Sequence, residues 1–370
     1  MPDQIYLRPI GTTLSPQSEE GDCIRLAGGM AYAHRFAAIL RRDGEVVERW
    51  RFTPATVDDV LGQLPDALGA EAEAQWANLR MAHPPIAMGA RTVRLDQPQI
   101  MGILNVTPDS FSDGGKFLDR PEEGRAHAAA MLEAGAAIVD IGGESTRPGA
   151  PAVWEGDELE RVIPAVEYCA AMGAAISVDT RRPAVMDAAL HAGAHMINDV
   201  SALRHDPRSL ELVAARACPV VLMHAPGAGD DLHADADYEC IMLDVFDWLR
   251  ERRDAAIGAG VARERIVLDP GIGFGKSVGE NLALINALPL FHALGQPLLL
   301  GGSRKRMIGA LSNEVPAHER LGGSLALAIA GMNAGVQLLR VHDVFETVQA
   351  RNIWRGLRDA ALTDFSDVPA

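Results

Sequence analysis

Side chains able to do chemistry recur at intervals between residues 105 and 342, each at or just after the end of a short apolar run. Acids and amides bind polar groups and stabilise positive charge, whereas Arg, Lys and His side chains bind anions. A single polar residue after a strand often only caps the next helix or forms a turn. Its recurrence after every run favours one shared site over a series of unrelated caps. The residues are Asn105, Glu144 to Arg147, Asp179, Asn198 with Asp199, His224, Asp269, Lys305, and Arg340 with His342.

Eight short runs rich in β-branched residues alternate with Ala-rich helical stretches from about Gln99 onward. This alternation is typical of repeated βα units, and the nearly continuous apolar content is typical of parallel strands covered on both faces. Eight such strands close a barrel, whose active site lies at their carboxyl ends. We therefore predict an α/β fold, a (β/α)8 TIM barrel, over residues 96–370. The predicted strands are Ile100–Val106, Ala137–Gly143, Ile176–Asp179, Met196–Val200, Val220–His224, Ile266–Asp269, Leu298–Gly301 and Leu338–His342.

Residues 1–95 show a different pattern, which predicts a small N-terminal α+β domain. Two strands, Phe36–Arg42 and Glu45–Phe52, flank Asp43-Gly44, a sequence typical of a tight hairpin turn. Thr56 is placed to be the N-cap of a helix that continues to Leu64. We find no catalytic constellation in this domain. The residues that predict a linker into the barrel are Pro84, Pro85 and Gly89.

The composition is that of an ordinary globular enzyme, with 370 residues of which 48% are hydrophobic and 23% charged. A net charge of −16 argues against nucleic acid as a partner, because phosphodiester binding depends on clustered Lys and Arg. The amino terminus lacks the pattern of a signal peptide, and no apolar run reaches the length of a membrane span, so we expect a cytoplasmic protein without membrane contact. Four widely spaced cysteines suit a reducing compartment: Cys23, Cys169, Cys218 and Cys240.

Two loops have the most distinctive sequences. MGILNVTPDSFSDGG, from Met101 to Gly115, runs from a strand into turn-forming residues and predicts a mobile lid. GGESTRPGA, from Gly142 to Ala150, places the cation of Arg147 beside the stiff Pro148. With these loops the chain resembles the dihydropteroate synthases from about Gln99 to the carboxyl terminus. The later segments that match this family in order are ISVDT, INDVSA, VLMHAPG, LDPGIGFGK, GGSRKRMIG and LLRVHDV.

The resemblance implies that the chain is a transferase that condenses a pterin diphosphate with 4-aminobenzoate. Loss of diphosphate leaves a cation delocalised into the pterin ring, and fixed carboxylates would stabilise it. The residues implied to be catalytic are Asp179, Asp269 and Lys305. The residues implied to bind the pterin are these three together with Asn198 and Met223.

The leaving diphosphate needs donors and a metal, and the resemblance implies Asn105, Arg340 and His342 as its ligands. Mg²⁺ is the expected ion because phosphate and hard oxygen ligands suit it, with Asn105 as the protein ligand. The pocket for 4-aminobenzoate is implied to contain Phe111, Thr146, Arg147, Pro148 and Arg306.

Two positions depart from the family pattern. Arg306 stands where relatives often have Ser, and Ala225-Pro226 stands where several have Met-Gln. The resemblance also implies a homodimer through the late helices, here about residues 320–333, whose Ala-, Gly- and Leu-rich face permits close packing.

Two alternatives stay open at the level of sequence. One is a pterin-binding barrel that transfers a methyl group from a reduced folate. It shares the Asp, Asn and Asp arrangement, but we do not expect it to have both loop sequences and Ser303-Arg304-Lys305. The other is a non-catalytic paralogue that binds pterin, which diphosphate release would distinguish from an enzyme.

Overall fold

The computed structural model describes residues 3–13, 22–107, 121–146, 149, 153–227, 231–234 and 236–361. Within these ranges, none of the helices combines the length and apolar content that crossing a lipid bilayer requires.

The first part of the chain forms an antiparallel sheet with β3 at its centre, paired to β1 on one side and to β2 and β4 on the other. The predicted hairpin is confirmed, with Asp43 and Gly44 in its turn at φ values of 48° and 90°. The elements are β1 (Gln4–Thr13), β2 (Ile24–Arg25), β3 (Tyr32–Arg42), β4 (Glu45–Phe52), α1 (Val57–Leu61) and α2 (Asp66–Arg80).

The helix predicted from Thr56 to Leu64 is shorter than expected and ends at Leu61. The Thr56 hydroxyl accepts a hydrogen bond from the Thr53 amide at 3.0 Å and makes no capping bond into α1. It stabilises the preceding 3-10 turn, Pro54–Thr56, instead.

A short antiparallel hairpin follows, made of β5 (Ile86–Met88) and β6 (Arg91–Val93). Gly89, which we predicted to lie in a linker, occupies the turn of this hairpin at φ 63°. Apolar side chains of the hairpin pack against the amino-terminal ends of the barrel strands, where they form a barrel floor. This floor contains Ile86, Met88, Val93, Leu95, Met101, Ile138, Val221 and Leu338 among others.

Eight parallel strands form the predicted barrel in the order β12-β11-β10-β9-β8-β7-β14-β13, and a parallel bridge between Leu268 and Leu298 joins the two ends. Two strands have the predicted bounds, and the others differ by one residue at one or both ends. They are β7 (Gln99–Asn105), β8 (Ile138–Gly142), β9 (Ile176–Asp179), β10 (Met196–Asp199), β11 (Val220–Met223), β12 (Ile266–Asp269), β13 (Leu299–Leu300) and β14 (Leu338–Val341).

Helices cover the outside of the barrel, and the N-terminal domain packs against two of these outer elements. Tyr6 of β1 contacts Phe246 edge to face with ring centroids 5.4 Å apart, and Asn78 of α2 donates to the Ala293 carbonyl at 2.8 Å. These partners belong to α7 and to the 3-10 segment Leu288–Leu294. The helices are α3 (Pro121–Glu133), α4 (Glu155–Ala171), α5 (Pro183–Ala192), α6 (Pro207–Arg216), α7 (Ile241–Gly258), α8 (Val278–Asn286), α9 (Arg306–Ala310), α10 (Leu321–Asn333) and α11 (Val344–Ala361).

Strand register brings the polar residues to one end of the barrel. Asp179 of β9 lies beside Gly142 of β8 and beside Asn198 of β10, while Met223 of β11 lies beside Asp269 of β12. Side chains two residues apart on a strand point to the same face of the sheet. The layer that contains Asp179, Asn198, Met223 and Asp269 therefore lies directly above the apolar layer that packs against the floor. The carboxyl-terminal rim therefore collects the chemically active side chains.

Candidate active site

An ion cluster lies at the centre of the barrel mouth. Arg340 donates from Nε to Asp140 Oδ2 at 2.6 Å and from Nη2 to Asp179 Oδ2 at 2.7 Å. Asn198 donates from Nδ2 to the same Asp140 oxygen at 3.2 Å. One guanidinium thus orients two carboxylates and, through Asp140, an amide, which fixes these groups before any ligand arrives.

Asp179 is the more accessible carboxylate of this cluster, with 11% of its side chain exposed, whereas Asp140 is fully buried. Burial raises the pKa of Asp179 to about 7; Arg340 opposes the shift, and the nearby carboxylate of Asp140 adds to it. The cluster has two carboxylates and one cation, so keeping both carboxylates charged costs free energy unless another cation lies nearby. A cation arriving near Asp179 would relieve that cost.

Asp269 lies at the end of β12 on the other side of the mouth. Its Oδ1 accepts the Gly271 amide at 2.7 Å, and burial raises its pKa to about 6 although this hydrogen bond and the nearby Lys305 act in the opposite direction. A Cβ placed at Gly301 would lie 3.8 Å from Asp269 Oδ2, so the glycine leaves that oxygen uncrowded. The second oxygen therefore faces a space in which a ligand could be bound.

Lys305 and Phe274 form the wall next to Asp269. The Lys305 ammonium lies 4.2 Å from the centroid of the Phe274 ring, a cation–π distance. His233 stacks on Phe274 with ring centroids 5.0 Å apart. Met223 is buried in an apolar cluster with Phe274, Ala225 and two other residues. Because Phe274 is itself buried, this wall contributes chiefly the Lys305 cation, which the ring holds next to Asp269.

Lys276 holds the turn that follows Asp269. Its ammonium donates to the Gly271 carbonyl at 2.8 Å, to the Phe274 carbonyl at 3.0 Å and to the His224 carbonyl at 3.5 Å. Burial lowers its pKa to about 7, against the attraction of Asp269. The side chain connects the loop after β11 to the loop after β12, which is a structural role that we did not predict.

Behind the loop after β8 lies a second ion cluster. Arg182 donates to Glu144 at 2.8 Å, to Glu158 at 2.5 Å and to the Val153 carbonyl at 2.7 Å. Hydrogen bonds from Arg182 and Arg181 outweigh burial and lower the pKa of Glu144. The cluster anchors both ends of the loop whose described part includes Thr146.

The predicted anion ligands lie on neighbouring strands. A Cβ at Gly142 would stand 3.5 Å from Asn105 Oδ1 and 3.9 Å from Asp179 Oδ2, so both side chains lie next to this glycine. His342, at the end of β14, lies with Nδ1 3.0 Å from the Ser303 hydroxyl. Among the described residues, no group of three His, Cys, Asp or Glu side chains is placed to hold a metal ion.

The structure brings together the side chains of Asp179, Asn198, Asp269, Lys305, Met223, Arg340 and Asn105 around one mouth. Arg306 begins α9 with an exposed side chain. Phe111, Arg147 and Pro148 lie outside the described residues. Asp140 was missed, although an acid inside an otherwise apolar strand was a signal of its role.

Comparison with known proteins is consistent with this geometry. The model of the family described as "Pterin binding enzyme" matches residues 101–342 and leaves the N-terminal domain out. Dihydropteroate synthase of Neisseria meningitidis serogroup B is 44% identical over 73% of this chain and 96% of its own. That of Escherichia coli is 46% identical over 70% and 91%.

Solved structures give the same result. Dihydropteroate synthase of Xanthomonas albilineans with 4-aminobenzoic acid aligns with a TM-score of 0.70 at 46% identity, over 75% of this chain and 99% of its own. The Yersinia pestis enzyme in a sulfonamide drug complex aligns with a TM-score of 0.71 at 44% identity, over 75% and 100%.

Proposed function

Because the chain belongs to the pterin-binding enzyme family, within its dihydropteroate synthases, we propose that the barrel mouth performs their condensation. The substrates are 6-hydroxymethyl-7,8-dihydropterin diphosphate and 4-aminobenzoate, and the products are 7,8-dihydropteroate and diphosphate. The observation that carries the proposal is the pair of buried carboxylates, Asp179 and Asp269, whose raised pKa values mark them as groups that gain from a nearby positive charge.

The pterin is held edge-on between the two carboxylates. The second oxygen of Asp269 accepts from its amino-pyrimidinone edge, Asn198 supplies an amide, and Asp179 faces the other ring nitrogens. Lys305 donates to the ring carbonyl, and Met223 supplies apolar contact. The fixed Arg340, Asp140 and Asn198 network supports this arrangement because the groups need no reorganisation when the ring arrives.

The bond between the pterin methylene carbon and the diphosphate oxygen breaks first, and both electrons leave with the oxygen. The methylene cation that remains is delocalised into the ring, where Asp179 and Asp269 stabilise it. The arylamine nitrogen then forms the new bond to carbon and loses a proton to water. No general base is needed, because the arylamine is largely unprotonated at neutral pH.

Diphosphate binding is assigned to Asn105, Arg340 and His342. Two donors of Arg340 already hold carboxylates, but a guanidinium has five N–H groups and can also serve an anion. Mg²⁺ would be held by Asn105, whose Oδ1 lies next to Gly142 at the barrel mouth, together with diphosphate oxygens and water. When bound, it would neutralise charge on the leaving group; one amide ligand suits an ion that keeps several waters.

The arylamine is placed above the pterin, between the loop that contains Thr146 and the start of α9. Phe111 and Pro148 supply apolar surface, and Arg147 and Arg306 attract the carboxylate. The exposed Arg306 at the amino terminus of α9 is suitably placed for an anion that approaches from solvent.

We further propose a homodimer that uses the late helices α10 and α11. Large apolar side chains are exposed on α11, where Phe345, Ile353 and Leu357 are 58%, 69% and 67% exposed. Exposed apolar side chains on one helix commonly mark an interface. The four free cysteines support a cytoplasmic location, where thiols stay reduced.

The direct test is to incubate the purified protein with both substrates and Mg²⁺ and to measure dihydropteroate and diphosphate. The proposal requires dihydropteroate and diphosphate in equal amounts when both substrates are present, and no dihydropteroate when 4-aminobenzoate is left out. Pterin binding without diphosphate release would indicate a non-catalytic paralogue, and methyl transfer from a reduced folate would indicate the other barrel class.

A further inference from the structure

The loop between β11 and α7 connects three parts of the barrel rim. In its described part, His233 Nδ1 accepts the Gly275 amide at 3.3 Å, so the ring hydrogen lies on Nε2 and is donated to the Thr146 carbonyl at 2.8 Å. The same ring stacks on Phe274. His233 thus ties the loop after β8, which is assigned to the arylamine, to the loop after β12, which is assigned to the pterin.

The far end of this loop is held by the N-terminal domain. Arg41, at the end of β3, is 7% exposed and reaches Asp244 at 2.6 Å, Glu239 at 3.1 Å and Asp247 at 3.6 Å. Asp244 in turn accepts the Cys240 amide at 3.0 Å at the start of α7. The domain therefore contacts the point where the loop becomes a helix.

The hairpin turn itself lies against the same point. Arg41 Nε donates to the Gly44 carbonyl at 2.7 Å, so the guanidinium fixes the turn and the loop together. A Cβ at Gly44 would stand 2.1 Å from Glu239 Oε2, which shows how closely the turn approaches the loop. The φ of 90° favours glycine at this position, and any Cβ would push the Glu239 side chain away from Arg41.

Charge makes Arg41 central to this contact. Its carboxylate partners come from the loop end and from the first two turns of α7. Asp247 also accepts a hydrogen bond from the Tyr6 hydroxyl and forms an ion pair with Arg250. Without Arg41, Asp244 and Glu239 would lose their shared cation and repel each other beside a half-buried Asp247. The loop end would then move away from the domain.

We propose that Arg41 is a positioning residue through which the N-terminal domain holds the β11–α7 loop, and with it His233, against the arylamine-binding side of the site. The inference rests on the proposed function, which assigns this side of the site to the arylamine. It gives the N-terminal domain, which lies outside the family match, a specific part in the reaction.

The test compares Arg41→Met and Arg41→Lys with two controls in the full-length protein. Arg42→Met removes the neighbouring, exposed arginine, which pairs with Asp3 inside the domain. Asn78→Ala removes a different contact between the domain and the barrel, the hydrogen bond to the Ala293 carbonyl, which lies outside the Arg41 cluster. The steady-state KM for each substrate, kcat and the melting temperature are measured for every variant.

We expect Arg41→Met to raise the KM for 4-aminobenzoate by about threefold to tenfold, the size of an indirect coupling. The KM for the pterin diphosphate should change less. Arg41→Lys keeps the buried charge but cannot span all the partners, so its KM should be intermediate. Both controls should keep the wild-type KM even if Asn78→Ala lowers the melting temperature.

A double-mutant cycle connects the effect to His233. If Arg41 acts through this loop, the combined Arg41→Met and His233→Ala effects on kcat/KM should be smaller than their sum. The inference is wrong if Arg41→Met and Arg41→Lys keep the wild-type KM, if Asn78→Ala raises it equally, or if the two effects add. Should Arg41→Met fail to fold, Arg41→Lys decides alone. Failure of the proposed function would instead appear as a wild-type protein without turnover.

Discussion

Burial controls the charge of the two central carboxylates, and both depend on cations that the barrel itself supplies. Asp179 shares Arg340 with Asp140, while Asp269 has Lys305 and Lys276 nearby. Each of these buried carboxylates is therefore stabilised in its charged form by any further positive charge that comes close.

Asp179→Asn should lower kcat by about a hundredfold or more, as expected when a preorganised charge at the reacting centre is lost. Pterin diphosphate affinity should fall far less, because the amide keeps the shape and hydrogen bonding of the side chain. The comparison needs kcat and a calorimetric dissociation constant. Asp187→Asn, on the exposed surface of α5, is the control, and a kcat within twofold of wild type in Asp179→Asn would remove Asp179 from the mechanism.

Asp269→Asn should change how stability depends on pH. Because burial raises the pKa of Asp269 to about 6, its protonated form is favoured by folding. That contribution is fully present below about pH 4 and is lost as the pH rises through 6. The asparagine of the variant does not titrate and loses no such contribution. The difference in the free energy of unfolding, variant minus wild type, should therefore increase by up to about 3 kcal/mol between pH 4 and 7.

Urea unfolding at several pH values measures this difference. The exposed Asp59→Asn should show no comparable gain. Parallel pH curves for Asp269→Asn and wild type would contradict the assigned cause of the pKa shift.

The barrel elements could be predicted from the sequence because each strand is a short apolar run that ends in a polar residue. Ile176–Asp179 and Ile266–Asp269 were predicted with their actual bounds. The β5–β6 hairpin was missed, since three-residue strands give too little periodicity and Gly89 suggests a loop equally well. Arg340 was predicted at the site, but its pairing with Asp140, 200 residues away, could not be read from local pattern.

Lys276 illustrates what one side chain does for the elements around it. Lys276→Met should loosen the turn that holds Asp269 and raise the KM for pterin diphosphate by about tenfold, because three carbonyls lose their shared donor. Lys276→Arg should recover part of this loss. Steady-state kinetics with saturating 4-aminobenzoate measures it, and a wild-type KM in Lys276→Met would assign the lysine to stability alone.

At the scale of the whole molecule, the N-terminal domain occupies the flank formed by α7 and the 3-10 segment Leu288–Leu294. Helix α11 carries the exposed Phe345, Ile353 and Leu357. Sequence pattern predicted the small domain but not its docking, because Arg41 meets residues about 200 positions later in the chain.

Ile353→Glu should dissociate the proposed homodimer, since a buried, unpaired carboxylate is costly in an apolar interface. Light scattering coupled to size-exclusion chromatography would report a monomer mass. Val47→Glu places the same charge on the exposed β4 strand, where 47% of the valine is exposed, and should leave the mass unchanged. A wild-type protein that is already monomeric would exclude the dimer.

The β5–β6 hairpin closes the floor of the barrel with a layer of apolar side chains. Ligands can therefore enter and leave only from above. A ring bound at the depth of Asp179 and Asp269 would be covered by an arylamine bound near Thr146, so binding should be sequential: pterin diphosphate enters before 4-aminobenzoate, and dihydropteroate, which spans both levels, departs as a single unit.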